Sequence, residues 1–275
     1  MTTSHRTGRR SPLSRLLTVL GGIVILGLVL SAIMSAIRSS QVRDYDPEHL
    51  SSEGITHVKL DAPVGDVTIN CSGTSDFTLT QQKVSEKWNL ERDGDTVKVS
   101  RNSPSWPVQI NLFGLFGLFS QENEKVTLSI PEAACQQNLD ADLKLSAGNL
   151  NADARFGALN MDMSAGEATI NGTASSITAR LSAGNLTLNL DGTKQADLHM
   201  SAGDIKGSLS QVPEKLKIDS SAGSLELALP AGNYSVNSDV SAGHFDNQLT
   251  TDSQGTKSQV DIRMSAGDAK LTTKS

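Results

Sequence analysis

Residues 181–205 read LSAGNLTLNLDGTKQADLHMSAGDI, and the tripeptide Ser-Ala-Gly occurs twice in that stretch, nineteen residues apart. Along the 275-residue chain it occurs seven times, beginning at Ser146, Ser164, Ser182, Ser201, Ser221, Ser241 and Ser265. Five of the six intervals are 18 to 20 residues and the last is 24. A period near twenty residues marks a repeat architecture, in which each unit buries its apolar face only against the next.

Aligning the copies on the serine shows what each position requires. Leu145, Met163, Leu181, Met200, Ser220, Val240 and Met264 precede it directly, and Leu143, Met161, Ala179, Leu198, Ile218, Ser238 and Ile262 lie two residues earlier. Apolar and polar residues alternate, which is the period of a strand with one buried face. After the glycine the alternation resumes out of phase: Asn149, Glu167, Asn185, Asp204, Ser224, His244 and Asp268 are polar, and the next residue in each copy is apolar. A one-residue phase slip at a glycine reads as a bulge or corner. Each repeat is therefore expected to be two short strands joined at a corner. The alanine fills it, the serine bonds the bend, and Gly148, Gly166, Gly184, Gly203, Gly223, Gly243 and Gly267 supply a backbone angle that other residues resist.

The template extends, worn down, toward the N-terminus. VKLDAPVGDVTI (58–69) has Gly65 in the glycine place, and VTLSIPEAA (126–134) has Pro131 there. FTLT (77–80) and VKVS (97–100) fit the spacing, while ERDGD (91–95) between them also suits a hairpin turn. Residues 55–275 thus read as an all-β, repeat-built β-solenoid with coils of about 18–20 residues, interrupted by an apolar insertion at 103–122.

That insertion holds INLFGLFGLFS (110–120), in which Leu112, Phe113, Leu115, Phe116, Leu118 and Phe119 recur with a spacing that suits neither a strand nor a glycine-free helix. It reads either as a cap over the solenoid interior or as an apolar surface for a partner or membrane. Cys71 and Cys135, counted coil by coil, fall three rungs apart, roughly 14 Å. A bridge does not span that distance, so free buried thiols are expected.

Ahead of the repeats, Leu16–Ile37 is a run of 22 uncharged residues, long enough as a helix to cross a hydrocarbon core. Four arginines precede it and RDYDPEH (43–49) follows it. The expected order is a basic cytoplasmic tail (1–15), a transmembrane helix (16–37), a linker (38–54) and an extracytoplasmic domain (55–275), with the chain single-pass in the inner or plasma membrane. A cleaved signal peptide is the competing reading, but its apolar stretch would be shorter and would end at a better small-residue site. Beyond residue 38 the chain carries 19 Lys and Arg against 30 Asp and Glu, an acidity that argues against nucleic acid.

A membrane segment followed by VTLSIPEAA and repeated LSAGNL and MSAGD corners resembles the bacterial putative-adhesin family of unknown function. The resemblance covers residues 55–275. It implies a β-solenoid-like envelope domain and supplies no catalytic residues.

One outward column could carry chemistry. Lys144, Asp162, Arg180, His199, Asp219, Asp239 and Arg263 lie two residues before each serine. Stacked in chain order, they set Asp219 directly beside Asp239, about 5 Å away. Flanked by His199 and Arg263, that pair could serve a carbohydrate-active enzyme, or with His244 a divalent metal. Against it stands a plain solvated charge ladder, and no aromatic platform lies nearby in sequence. No phosphate loop, nucleophile elbow or metal-spaced Cys/His set is present. The expected function is a non-catalytic, cofactor-free binding or scaffold protein of the cell envelope, acting as an adhesin, assembly platform or stress-response accessory. Its partners would be the membrane, an envelope protein or glycan, and a second copy of itself.

Overall fold

Alternating inward apolar residues become strands wherever the repeat runs. The computed structural model describes residues 42–101, 124–250 and 257–274. Before the regular repeats come β1 (Arg43–Leu50), β2 (His57–Ala62), β3 (Gly65–Ser72), β4 (Phe77–Val84), β5 (Trp88–Asp93), β6 (Thr96–Arg101), β7 (Lys125–Pro131) and a one-turn helix α1 (Glu132–Cys135). The repeats supply β8 (Leu139–Leu145), β9 (Gly148–Met163), β10 (Glu167–Leu181), β11 (Asn185–Asp191), β12 (Gln195–Met200) and β13 (Asp204–Leu209). They end with β14 (Lys215–Ser220), β15 (Ser224–Leu229), β16 (Tyr234–Gln248) and β17 (Ser258–Thr273). The fold is all-β, as the alternation requires, and these strands form one hydrogen-bonded sheet within one compact unit.

Two parallel ladders run through that unit. Ahead of the corner, β6, β2, β8, the later halves of β9 and β10, β12 and β14 lie side by side. Behind it, β7, β3, the earlier halves of β9 and β10, β11, β13 and β15 do the same. Leu181 lies opposite Met163 on one side and Met200 on the other, so equivalent repeat positions stack in register. All three are at most 4% exposed. Each such side chain contributes about 2 kcal/mol by leaving water. The corner itself is held backbone to backbone: Ser182 N donates to Met163 O at 2.9 Å, and Asn185 N to Gly166 O at 2.9 Å.

The corner glycines form a spine. Gly148, Gly166, Gly184, Gly203, Gly223, Gly267 and Gly243 have φ between +109° and +131°. A Cβ on any of them would run into the carbonyl oxygen of the neighbouring rung's glycine. The angle is half of the requirement, and the close approach of stacked backbones is the other half.

Chain order and rung order part company at both ends. At the C-terminal end, β17 inserts between β15 and β16, so the sixth Ser-Ala-Gly coil lies outside the seventh. The inward residues explain the inversion. β17 presents Val260, Ile262, Met264, Ala269 and Leu271, all at most 2% exposed, whereas β16 presents Ser238 and Asn247 in the same columns. A coil with polar inward positions costs least at the edge, where those groups keep water.

At the other end, the β6–β7 coil stacks outside the β2–β3 coil. This overturns the expectation of free thiols. β3 and β7 are neighbours with Cys71 opposite Ile130, and α1 then turns Cys135 back over them. The two cysteines form a disulfide with Cα atoms 6.2 Å apart. The three-rung count failed because β4 and β5 add no rung; they pair antiparallel, β4 with β7 and β1, and β5 with β6. ERDGD is thus a hairpin turn with Gly94 at φ +63°, and VKVS is also a rung on β2. Pro131 does not occupy the glycine place either. It lies opposite Ser72, at the far end of β7. The spine stops at Gly65, where Trp88 and Glu124 stand within 4 Å of the position a Cβ would take.

The linker expected at 38–54 contains β1, an edge strand whose register on β4 shifts between Tyr45 and Glu48. Pro47 lies at that shift and has no N–H to donate, which suits an irregular edge. Residues 16–37 and 103–122 lie outside the described residues, and among the described residues no helix is long and apolar enough to cross a membrane.

Candidate functional site

The rung inversion rearranges the outward column singled out above. In spatial order it runs Asp61, Lys144, Asp162, Arg180, His199, Asp219, Arg263, Asp239. Asp219 and Asp239 are not neighbours, because Arg263 stands between them in register with both. The carboxylate pair read from chain order does not exist, and the two groups sit two rungs apart, about 9.5 Å. His244 belongs to the ladder behind the corner, where its backbone N donates to Asp268 Oδ1 at 2.9 Å.

What the column does instead is alternate charge, with one break where Arg180 lies beside His199. Lys144 reaches Asp61 at 3.7 Å, Arg180 reaches Asp162 at 3.6 Å, and Arg263 reaches Asp219 at 3.5 Å. These pairs are exposed, and each contributes well under 1 kcal/mol. Their larger effect is on register, since a coil slipped out of order would set like charges face to face.

Around Asp219 the ladder thickens into a cluster. Asp197, His199 and Asp219 bring one ligand atom each within 4.8 Å of one another. His199 Nε2 lies 3.0 Å from Asp197 Oδ1, and its Nδ1 lies 3.5 Å from Asp219 Oδ2. A Lys occupies the place a cation would take: Lys217 Nζ is 2.5 Å from Asp219 Oδ2 and 3.7 Å from Asp197 Oδ1. The cluster opens into a shallow concavity of about 600 Å³ lined by Arg180, His199, Asp219, Asp239, Arg263 and the corner serines. Its carboxylates already have cationic neighbours within the protein, a donor set poorly suited to a metal.

The Lys217 hydrogen bond holds the Asp219 carboxyl below its ordinary range, against an opposing effect of burial, and Asp219 in turn raises Lys217. Because the folded value lies below the unfolded one of about 3.9, Asp219 contributes stability above that pH and loses it as pH falls through the lowered value. Asp219→Asn is therefore expected to melt slightly lower than the parent at pH 7 and to lose less on acidification from pH 5 to 2.5. Parallel acid curves for the two proteins would remove Asp219 from this account.

Behind the corner a second column alternates acid with hydrogen-bond donor: Asp66, Asn149, Glu167, Asn185, Asp204, Ser224, Asp268 and His244. Asn149 donates to Asp66 at 2.8 Å, Asn185 to Glu167 at 3.5 Å, and the Ser224 hydroxyl to Asp204. In chain order the alternation already holds from Asp66 to Ser224, and the inverted order of the last two coils carries it on through Asp268 to His244.

The sequence reading also missed a polar knot around the ends of the insertion. Arg101 and Glu124, which bracket residues 102–123, form a 3.4 Å ion pair with side chains 10% and 4% exposed. Ser85 N donates to Glu124 Oε1 at 2.8 Å, and Gln81 exchanges two hydrogen bonds with the backbone of Trp88. None of these residues lies in the repeat columns.

Residues 55–272 match the sequence profile described as Toastrack DUF4097. No curated protein matches the chain. Among solved structures, a "putative cell adhesion protein" from Clostridium sporogenes ATCC 15579 is similar at 10% identity and TM-score 0.34, covering 84% of this chain and 100% of that one. A "putative adhesin" from Bacteroides fragilis NCTC 9343 is similar at 12% identity and TM-score 0.40, with coverage of 82% and 96%.

Proposed function

The chain belongs to the Toastrack DUF4097 family, and from that premise we propose that it is a non-catalytic, adhesin-like scaffold of the cell envelope. In this reading the stacked coils form a β-solenoid, and residues 16–37 hold it by a single membrane crossing with the N-terminus cytoplasmic. The observation that carries the proposal is the state of the outward columns. Except where Arg180 meets His199, acid meets base or donor from rung to rung, so the charged groups are used in holding register, and the surface is left as regular polar faces suited to binding. The Cys71–Cys135 disulfide supports an extracytoplasmic address, because such bonds persist in oxidising compartments.

The placement of β1 suits an anchor on its N-terminal side. Arg43 lies opposite Val84, one residue from the Ser85–Glu124 bond, so the chain enters the domain beside the point where residues 102–123 leave and return. Protease added to spheroplasts is expected to digest the C-terminal domain while a tag ahead of Ser11 survives. Survival of both ends would refute the orientation, and loss of the tag with an intact domain would reverse it.

A further inference from the structure

We propose that the outer edge of β16 is a two-fold self-association surface, on which a second copy of this chain lays its own β16 in antiparallel register. Among the described strands β16 pairs with β17 alone, so its fifteen residues present a long edge. At the opposite end, β1, β4 and β5 cover the ladders with antiparallel strands. The inward columns at the β16 end finish half-covered: Val236, Val240, Phe245 and Leu249 pack on the core and remain partly exposed.

The corner dictates how two such edges meet. Val240 and Phe245 are the first inward residues on either side of it, so a two-fold axis through the bend exchanges them. Val240 then lies over Phe245 of the second copy, and Val236 over Leu249. Ser238 meets Asn247, the two polar residues of the inward columns. Apolar faces apolar and polar faces polar over the whole rung, which an unrelated strand would not reproduce.

The outward side is opposed to the same contact. It sets Asp239 over Asp246 of the second copy, twice by symmetry. Within its own copy Asp239 faces Arg263 and Asp246 faces Lys270, with Gln248 Nε2 bonded to Asp246 at 2.6 Å and His244 two residues away. Like charges directly opposite weaken strand pairing, so these aspartates set the strength of the dimer. Association is weak at neutral pH and tightens when they are neutralised. If β1 is held to a membrane as proposed above, this stacking leaves the two anchored ends facing away from each other, the arrangement of a contact between two surfaces. That consequence rests on the anchoring; the self-association does not.

Sedimentation velocity of the full-length chain in detergent tests the proposal. The double variant Asp239→Asn with Asp246→Asn is expected to dimerise at pH 7 roughly tenfold more tightly than the parent. Adding Val240→Glu, at a half-exposed position of the edge strand, should abolish the dimer, and Ala242→Cys should cross-link two copies at the shared corner on oxidation. A double variant that stays monomeric at all concentrations, or a dimer indifferent to Val240→Glu, would overturn it.

Discussion

Replacing Gly184 by Val is expected to unfold the stacked coils around it, the largest effect of any single substitution considered. Gly184 has φ +110°, where a β-branched residue is strained by about 1–3 kcal/mol. The added Cβ would also run into the Gly166 carbonyl oxygen, which accepts the hydrogen bond from Asn185 N. Relieving that clash means separating two rungs and giving up corner bonds along with apolar contacts. The combined loss is roughly 3–6 kcal/mol, a large part of the 5–15 kcal/mol typical of a whole domain. Ala should cost nearly as much, because the clash begins at Cβ. Gly73 is the control: a Cβ there meets nothing within 4 Å, and Gly73→Ala should leave the melting temperature almost unchanged. A Gly184→Val protein that loses less than about 0.5 kcal/mol in denaturant titration would show that the spine does not constrain the stack.

What a sequence discloses about such a protein follows from how local each determinant is. The strand alternation on either side of Ser182 and the phase slip at Gly184 are written within about ten residues, and both elements stand where that pattern puts them. The order of the rungs is written nowhere locally. It depends on comparing whole coils: Ser238 and Asn247 in β16 against Ile262 and Leu271 in β17, and the clash of Asp219 with Asp239 against the match of Asp219 with Arg263. Both comparisons favour the inverted order, and that discomfort at Asp219 was the legible signal that chain order was not spatial order. The candidate site changed character for this reason, from an isolated carboxylate pair to one stretch of a continuous ladder. The N-terminal coils were less legible still. There the strand pattern of FTLT is correct, but its direction is set by pairing with Ser129 and Leu128, far along the chain.

The disulfide carries the second large expected effect. Changing Cys71 and Cys135 together to Ala removes a link between residues 64 apart in sequence. In the chain-entropy account that link restricts the unfolded state by about 4 kcal/mol, which corresponds to a fall of roughly 8–15 °C in melting temperature for a domain of about 200 residues. Ala is preferred to Ser because Cys135 is fully buried, and a hydroxyl there would need a partner. The loss should fall first on the N-terminal coils, since α1 holds the turn from β7 into β8 and the bridge ties it to β3. Reductant should lower the parent's melting temperature toward that of the double variant and leave the variant unmoved. A parent that melts alike with and without reductant, and alike to the double variant, would mean that the β3–β7 pairing alone holds this end, and would remove the disulfide as support for an oxidising compartment.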